Sequence, residues 1–470
     1  MKPTSRTPHR SSIRAVALAA LALAAVGCGD SSSKSPPTAT AQSSAQPAPS
    51  AAPAKAPAQS SITLKGPAPS VANAAEVKKY QGAKITFYGD PVSGGLDVAM
   101  AAKFTEDTGV EVNVIPRPKD STESFAMYKR FFQGKSADVD VVMLDVIWPG
   151  SFAEDLLDLG PKLGEAAKAH AASIVENNSV GGKLLAMPFF TDFPVLYYRS
   201  DLLQKYGIAA PPETWDELEQ QAKKIQAGEK AQHPNFAGFV WQGKAYEGLT
   251  CNALEWVFSH GGGQLLDGKK PTVNNPQVAK ALARAKGWIG GISPAGVTGY
   301  EEEDARNVFQ GGNAAFMRNW PYAYAAGNSD GSLIKGKFDV ALLPHEPGQK
   351  SGATIGGWEI GVSKYSKNPD AAIEFTRYLT SPEGQKFRAL NGSFLPTIPA
   401  VQKDPEVVQA IPFIGKAKDV SLVARPSNNA GDRYNEVSIA FFQGVSQVLQ
   451  GQDATKVLPQ VEQRMQRALR

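Results

Sequence analysis

Residues 134–152 read GKSADVDVVMLDVIWPGSF, and residues 140–144 within them form a nearly continuous apolar run. Such a run predicts a strand that is buried on both faces, as in a parallel sheet covered by helices. Asp145 follows this strand directly. Because ligands of open parallel sheets bind outside the carboxyl ends of strands, Asp145 is a candidate ligand group, and a helix N-cap or turn is the equally weighted alternative.

The segments around this strand alternate between two periodicities. Residues 84–88 and 111–115 have the alternating pattern of strands, whereas residues 96–107 and the segment from Phe125 to Phe132 have helical spacing. Residues 338–343 and 359–362 predict later strands, and residues 437–469 are mainly helical. Strand–helix–strand repetition predicts an α/β sheet with parallel neighbours.

The N-terminus has the features of an export signal. Basic residues occur within residues 1–14, residues 15–26 are an unbroken apolar run, and Gly27 and Cys28 follow. This pattern predicts a secretory signal over residues 1–27, and its apolar run is too short to span a bilayer. The sequence Ala25-Val26-Gly27-Cys28 resembles the bacterial lipobox, which predicts acylation of Cys28; ordinary signal cleavage nearby is the alternative.

Residues 28–82 are rich in Ser, Ala and Pro, and no aromatic residue occurs between Cys28 and Tyr80. This composition predicts a disordered tether that joins a lipid anchor to the folded body. The formal net charge is +4 for the whole chain and falls to zero without residues 1–27. A sustained basic face is therefore not expected, which argues against nucleic acid as a partner and against membrane contact beyond the lipid anchor.

The motifs of common enzymes are missing from the sequence. Gly134-Lys135-Ser136 would end a phosphate-binding loop, but the required glycine is replaced by Lys129. His345-Glu346 continues into Pro347-Gly348, which excludes a zinc-binding helix. Residues 301–304 (EEED) are interpreted as a solvated helix start. Cys251 is left without a disulfide partner if Cys28 is acylated, and is interpreted as a buried apolar residue. We predict no catalytic residue, no metal and no cofactor.

Aromatic residues in glycine-rich or polar settings indicate a sugar site instead. Trp320 lies in the sequence NWPY (319–322), and Trp358 follows Gly356 and Gly357. Glycines before a Trp suggest close passage of the backbone, and aromatic faces beside charged groups suit the apolar face and the hydroxyls of a pyranose. Each Trp alone, including Trp241, Trp256 and Trp288, favours the core. The combination with Asp145, Asp192 and Arg425 favours carbohydrate binding.

The chain resembles the extracellular solute-binding proteins of bacterial ABC importers, in the group that binds trehalose and maltose. The segments that carry the resemblance include residues 134–152, AMPFFTDFPVLYYRSDLL (186–203), QGGNAAFMRNWPYAY (310–324) and ATIGGWEIGVSKYS (353–366). The resemblance implies an α/β, two-lobed periplasmic-binding-protein fold of type II, maltose-binding-protein-like, with the lobes joined by a three-segment hinge. We expect the N-terminal lobe to contain residues 83–192 and 345–393, and the C-terminal lobe residues 193–344 and 394–470. The chain would cross near residues 192–194, 343–347 and 391–396.

The resemblance also implies a set of ligand-binding residues in the cleft between the lobes. The first loop, residues 89–95, has no Glu where the family has one, so Ser93 is the nearest candidate, and the position of a ligand-contacting Arg in some members falls near Ser124. The implied ligand-binding residues are Asp145, Phe190, Asp192, Trp320, Tyr322, Gly356, Gly357, Trp358 and Arg425, followed by Ser93 and Tyr246.

The predicted function is capture without chemistry. We expect a monomeric lipoprotein on the periplasmic side of the cell envelope, which binds an α-linked disaccharide of the trehalose or maltose type and delivers it to the ABC permease and its ATPase. One alternative is a secreted glycoside hydrolase that uses Asp145, Asp192 or Glu247 as paired carboxylates. The other is a sugar sensor that signals to a membrane kinase.

Overall fold

A computed structural model describes residues 64–92 and 94–470. The predicted signal over residues 1–27, Cys28, the first part of the predicted tether and Ser93 lie outside the described residues. The strands are β1 Lys84–Gly89, β2 Glu111–Pro116, β3 Val141–Asp145, β4 Ser179–Val180, β5 Lys183–Leu184, β6 Ala186–Asp192, β7 Val195–Tyr198, β8 Ala237–Val240, β9 Leu266–Asp267, β10 Lys270–Pro271, β11 Ala314–Asn319, β12 Asp339–Ala341, β13 Gly352–Thr354, β14 Gly356–Val362 and β15 Ser421–Val423.

Helices cover both main sheets. They are α1 Ala74–Val77, α2 Gly94–Thr108, α3 Ser121–Gln133, α4 Gly160–Ala167, α5 Ala172–Asn177, α6 Ser200–Lys205, α7 Trp215–Glu229, α8 Glu247–Ser259, α9 Pro276–Trp288, α10 Glu302–Gln310, α11 Tyr322–Gly327, α12 Pro369–Leu379, α13 Pro382–Gly392, α14 Pro399–Gln402, α15 Pro405–Ala410, α16 Ser427–Ala430, α17 Tyr434–Leu449 and α18 Ala454–Ala468. Within the described ranges, no helix combines the length and the apolarity that crossing a bilayer would require.

The first sheet has the strand order β2-β1-β3-β14-β6. β1 pairs in parallel with β2 and β3, as predicted, but β14 runs antiparallel to both β3 and β6. The prediction of parallel neighbours is therefore wrong for β14, because its direction depends on a pairing with residues more than 150 positions earlier in the chain, which local periodicity does not contain. β3 and β6 both run opposite to β14, so β1, β2, β3 and β6 all end at the same edge.

The second sheet has the order β12-β7-β11-β8 and is also mixed. β11 runs parallel to β8 and antiparallel to β7. The chain passes from the first sheet to the second between Asp192, which ends β6, and Val195, which begins β7. Later, Thr191 of β6 pairs with Leu395, so the first and third predicted crossings lie side by side.

The second predicted crossing, near residues 343–347, lies elsewhere in the structure. The backbone of His345 exchanges hydrogen bonds with Glu213 and Trp215, beside the start of α7. The chain returns to the first sheet only at Gly356, directly after β13 has paired with β15. The chain therefore returns to the first sheet at Gly356, and not at the Pro- and Gly-containing turn near residues 343–347 from which the crossing was predicted.

Residues 64–82, predicted as part of a disordered tether, instead pack on the body. Val71 and Val77 are buried, at 5% and 1% exposure, and the hydroxyl of Tyr378 donates to the carbonyl of Pro69 at 2.7 Å. The Ser-, Ala- and Pro-rich composition of the whole segment gave no indication that these two valines are buried. They pack against a surface formed by α2 and α12. The prediction is therefore wrong for this part of the segment.

Helix starts use short-range hydrogen bonds. Thr214 and Glu217 form a capping box at the start of α7. Asp120 caps α3 through Oδ1, which accepts from the backbone N–H groups of Thr122 and Glu123. This cap also places the Asp120 carboxylate beside the cavity described below.

Substitution of Gly357 tests how tightly β14 packs between its neighbouring strands. Its φ is +134°, and a Cβ built there would lie 2.7 Å from the carbonyl oxygen of Phe190. We expect Gly357→Ala to lower the free energy of unfolding by about 2–4 kcal/mol, through backbone strain and overpacking, as measured by urea unfolding. As control, Gly287 in α9 has open space around a built Cβ, so Gly287→Ala should raise stability by about 0.5–1 kcal/mol. Equal effects at both positions would contradict this account of the strand.

Candidate functional site

A cavity lies where the carboxyl ends of strands from both sheets meet. It encloses about 840 Å³ when its open mouth is included. The first sheet contributes the side chains at its strand ends, and the second contributes the segment after β11 and the starts of α8 and α10. This position agrees with the rule that ligands of open α/β sheets bind beyond the carboxyl ends of strands.

All five strands of the first sheet place a side chain at the cavity from the strand itself or from the residue after it. Trp358 stands near the start of β14, which runs opposite to its neighbours, and pairs in register with Asp145 of β3 and Phe190 of β6. The strand-end residues are, in sheet order, Arg117 after β2, Asp90 after β1, Asp145 on β3, Trp358 on β14 and Asp192 on β6.

Gly356 and Gly357 let the strand pass between its crowded neighbours. A Cβ on Gly356 would lie 2.6 Å from Cζ3 of Trp320, and Gly357 meets the backbone of β6. Gly356 therefore leaves room for the indole of Trp320, and Gly357 lets β14 lie close to the backbone of β6. This close approach agrees with the reason given for the glycines from the sequence.

Trp320 is held by groups around its ring. The guanidinium carbon of Arg318 lies 4.3 Å from the ring centroid, and Arg318 is itself paired with Glu255 in the buried core. The indole Nε1 donates to Glu302 Oε1 at 3.4 Å. Arg318 therefore contacts one face of the ring, and Glu302 fixes its edge.

Trp358 has a similar arrangement on the first sheet. The guanidinium carbon of Arg117 lies 3.6 Å from its ring centroid, and Trp148 packs edge-on against it at 5.5 Å. The other tryptophans singled out in the sequence, Trp241, Trp256 and Trp288, are buried in a core cluster. Only two of the five thus line the cavity.

Asp145 and Arg425 contact each other directly. Arg425 donates to both carboxylate oxygens of Asp145, at 2.5 and 3.0 Å, and to Oε1 of Glu247 at 3.1 Å. Glu247 also accepts from Tyr434 and Ser438, both at 2.6 Å. Asp145 is therefore an ion-pair partner and a cavity residue, rather than a simple N-cap. Two of the three carboxylates considered for a hydrolase, Asp145 and Glu247, are tied into this network.

Asp192 is a carboxyl group of the cavity with an oxygen that can accept a further hydrogen bond. It is 8% exposed, and its Oδ1 is buried without a hydrogen-bond partner among residues 64–92 and 94–470. Burial, together with the charge of Asp90, holds the pKa of Asp192 well above its ordinary value. A hydroxyl donor from a ligand would satisfy this oxygen.

Residues 301–304 begin α10, as predicted, but the prediction that they are solvated is wrong for residues 301–303, which form a wall of the cavity. Glu302 accepts from the hydroxyl of Tyr246 at 2.6 Å, and Glu303 accepts from that of Tyr322 at the same distance. Burial raises the pKa values of both carboxyl groups. The prediction failed because neighbouring charges suggest solvent, whereas α10 begins directly against Tyr246 and Tyr322.

The structure brings most of the sequence-predicted site residues together around this cavity. Asp145, Phe190, Asp192, Tyr246, Trp320, Tyr322, Gly356, Gly357, Trp358 and Arg425 all line it. Ser93 and Cys28 lie outside the described residues. Cys251, which is buried and free, also contributes to the lining.

The lining residues that the sequence analysis did not propose include Asp90, Arg117 and Glu302. Asp90 stands in the loop where the family's Glu was sought, and Arg117 bonds to Ser124, where the family's Arg was sought. Asp90 and Arg117 each lie two residues after a predicted strand, so a slightly wider application of the reasoning that selected Asp145 would have found them. In the part of the chain that the structure describes, no group of three His, Cys, Asp or Glu residues could hold a metal ion.

Comparison with known proteins shows the same architecture. The family model for bacterial extracellular solute-binding proteins matches residues 88–386. A probable ABC transporter-binding protein of Deinococcus radiodurans is 52% identical over 371 residues, covering 78% of this chain and 88% of the relative.

Two solved structures extend the likeness to the whole fold. A maltose-bound protein of T. maritima has a TM-score of 0.78 and 38% identity, covering 82% of this chain and 99% of that one. The GacH receptor of Streptomyces glaucescens, solved without ligand and with acarbose, has a TM-score of 0.71 at 23% identity, covering 82% and 98%. The fold is thus the two-lobed, maltose-binding-protein-like α/β fold expected from the resemblance.

The family model spans more than half of this chain, and the Deinococcus radiodurans relative shares 52% of its residues over the matched length. The chain therefore belongs to the family of bacterial extracellular solute-binding proteins, which bind solutes rather than transform them.

Proposed function

We propose that this protein is the lipid-anchored, monomeric substrate-binding protein of an ABC importer and that it captures an α-linked disaccharide of the trehalose or maltose type. The observation that carries the proposal is the pair of indoles, Trp320 and Trp358, in a cavity otherwise rich in carboxyl and guanidinium groups. Pyranose rings pack their apolar faces on aromatic rings while their hydroxyls need donors and acceptors. The 38% identical T. maritima protein was solved with maltose, which supports the same ligand class.

The cavity has the polarity that such a ligand needs, because carboxyl, guanidinium and hydroxyl groups line it beside the two indoles. We assign Trp320 and Trp358 to the ring faces, with Phe190 and Tyr322 beside them. Asp192 would accept from sugar hydroxyls, and Asp145 and Arg425 would bind hydroxyls through charge-assisted hydrogen bonds. Gly356, Gly357 and Tyr246 would shape the walls, and acylation of Cys28 would anchor the exported chain.

We propose that the N-terminal lobe is built on the first sheet and the C-terminal lobe on the second. Three contacts then join the lobes at the cavity: Asp145 with Arg425, Asp120 with Lys244 at 3.0 Å, and Thr122 with the backbone N–H of Glu247 at 3.3 Å. Ligand favours closure because only the closed form lets both lobes contact the sugar. The closed form would then deliver the sugar unchanged to the permease.

A thermal-shift screen tests the proposed function. Purified protein is heated with trehalose, maltose, sucrose, glucosylglycerol or maltotriose, each over a range of concentrations. A sugar that binds the folded state at 100 times its Kd should add about 2.7 kcal/mol of stability and raise the Tm accordingly. We expect trehalose or maltose to give the largest shift, confirmed by calorimetry without product formation. No shift with any of the five sugars would refute the proposal.

Truncation of an indole tests its assigned role. We expect Trp358→Ala to weaken binding of the best sugar by about 2–4 kcal/mol, as for aromatic hot spots, with only a small change in the Tm without sugar. Isothermal titration calorimetry measures the affinity. The matched control is Trp288→Phe in the core, which should lower the Tm while the folded protein keeps its affinity. Unchanged affinity in a folded Trp358→Ala variant would remove Trp358 from the site.

The Asp120–Lys244 ion pair tests the proposed closure. Asp120→Asn keeps the capping oxygen of α3 but removes the charge facing Lys244. Because Lys244 is 37% exposed, we expect at most about 1 kcal/mol, which corresponds to up to about fivefold faster sugar dissociation by stopped-flow fluorescence. Asp370→Asn removes an ion pair with Lys162 next to the first sheet, within one proposed lobe, and should leave the dissociation rate unchanged. If both variants release sugar at the wild-type rate, the pair takes no part in closure.

A further inference from the structure

Arg117 is a buried cation at the cavity that no ion pair within the described ranges compensates. Its side chain follows β2, lines the cavity and is 7% exposed. Among the described residues, no carboxylate lies within ion-pair distance of its guanidinium. Asp90, Asp145 and Glu302 act on it only at longer range, and burial lowers the pKa of Arg117.

One end of the guanidinium is fixed by a small polar group. Nη1 donates to the carbonyl of Pro118 at 2.9 Å and to Oγ of Ser124 at 3.3 Å. The Ser124 hydroxyl in turn donates to the same carbonyl at 2.9 Å. With the Trp358 ring 3.6 Å from its central carbon, the guanidinium plane has little freedom to rotate.

The rest of the guanidinium is left without an acceptor. Within the described residues, neither Nε nor Nη2 of Arg117 has a hydrogen-bond partner, and Nε is fully buried. A buried charge with an unfilled donor is costly, so such groups normally face a hydrogen-bonding partner. Because Nε is enclosed, an acceptor oxygen in the cavity would bind at Nη2 without moving the side chain.

We propose that Arg117 is a further ligand-binding and specificity-determining residue, which donates to a hydroxyl oxygen of the sugar at the edge of the Trp358 ring, one face of which the guanidinium itself covers. The inference rests on the proposed function. A sugar hydroxyl both accepts and donates, so the oxygen bound by Arg117 can pass its own hydrogen to a cavity carboxylate, such as that of Asp145. Each hydrogen bond in such a chain strengthens the next one.

The first test compares sugar affinities by calorimetry in the full-length protein. We expect Arg117→Gln to weaken binding of maltose, or of whichever sugar gives the largest thermal shift, at least about 30-fold. Arg117→Lys keeps the charge but not the planar fork, and should lose about tenfold. The matched control is Arg130→Gln on α3, whose side chain is exposed, and its affinity should stay within about twofold of wild type. Thermal melting without sugar checks folding, and if the Gln variant does not fold, the Lys variant decides.

The second test separates direct contact from an effect through Trp358. Monodeoxy analogues of the same sugar are titrated against wild type and Arg117→Gln. If Arg117 contacts a hydroxyl, one analogue binds wild type poorly, yet binds Arg117→Gln as well as the parent sugar does. If every analogue loses the same factor in both proteins, Arg117 acts only by positioning Trp358, and the inference is overturned.

The outcomes also distinguish this inference from the proposed function. Wild type that binds none of the sugars refutes the proposed function itself. Wild type that binds a sugar, together with folded Gln and Lys variants that bind it equally tightly, refutes only the role of Arg117.

Discussion

The site depends on the insertion of one antiparallel strand, β14, between two parallel ones. Without that insertion, Asp145 and Asp192 would stand at the ends of strands with no aromatic residue between them. β14 enters the sheet at Gly356 and so presents its first residues to the edge where β3 and β6 end. The crowding this produces explains why two consecutive glycines precede Trp358. The register of β14 in the sheet therefore determines which side chains reach the site.

Charge burial is the second constraint. Unpaired cations on the two sides of the cavity would repel each other, and an unpaired buried ion is strongly destabilising. In and beside the cavity, most ions are paired with one another: Arg425 binds Asp145 and Glu247, and Lys244 binds Asp120 and Glu301. Within the described residues, Oδ1 of Asp192 has no donor and Nε of Arg117 has no acceptor, so one group of each sign keeps an unfilled hydrogen bond. A hydroxyl can both donate and accept, which suits such a pair.

Local patterns predicted the local parts of this molecule. The strands β1, β2 and β3 and the helix α3 were predicted because the spacing of apolar residues within a few consecutive positions is enough to indicate them. The direction of β14 was not found, since it is set by pairing with residues far away in the chain. The aromatic candidates show the same division: Trp358 was distinguished by two preceding glycines and Trp320 by its setting in the sequence NWPY, yet nothing local separated Trp241 from them. Asp90 and Arg117 were overlooked because a family pattern directed attention to Ser93 and Ser124, although both follow predicted strands.

The row of strand-end residues on the first sheet has a consequence for how this protein can change over evolutionary time. Four members of the row stand at or just beyond the last residues of their strands, and Trp358 stands near the first residues of β14, so most of the backbone pairing that holds the sheet lies on one side of the row. Exchange of one such side chain alters which oxygens a solute must present, while the hydrogen-bonded framework stays as it is. New preferences among solutes can therefore arise by single replacements at this edge, and the architecture tolerates diversification that a site buried mid-strand would forbid.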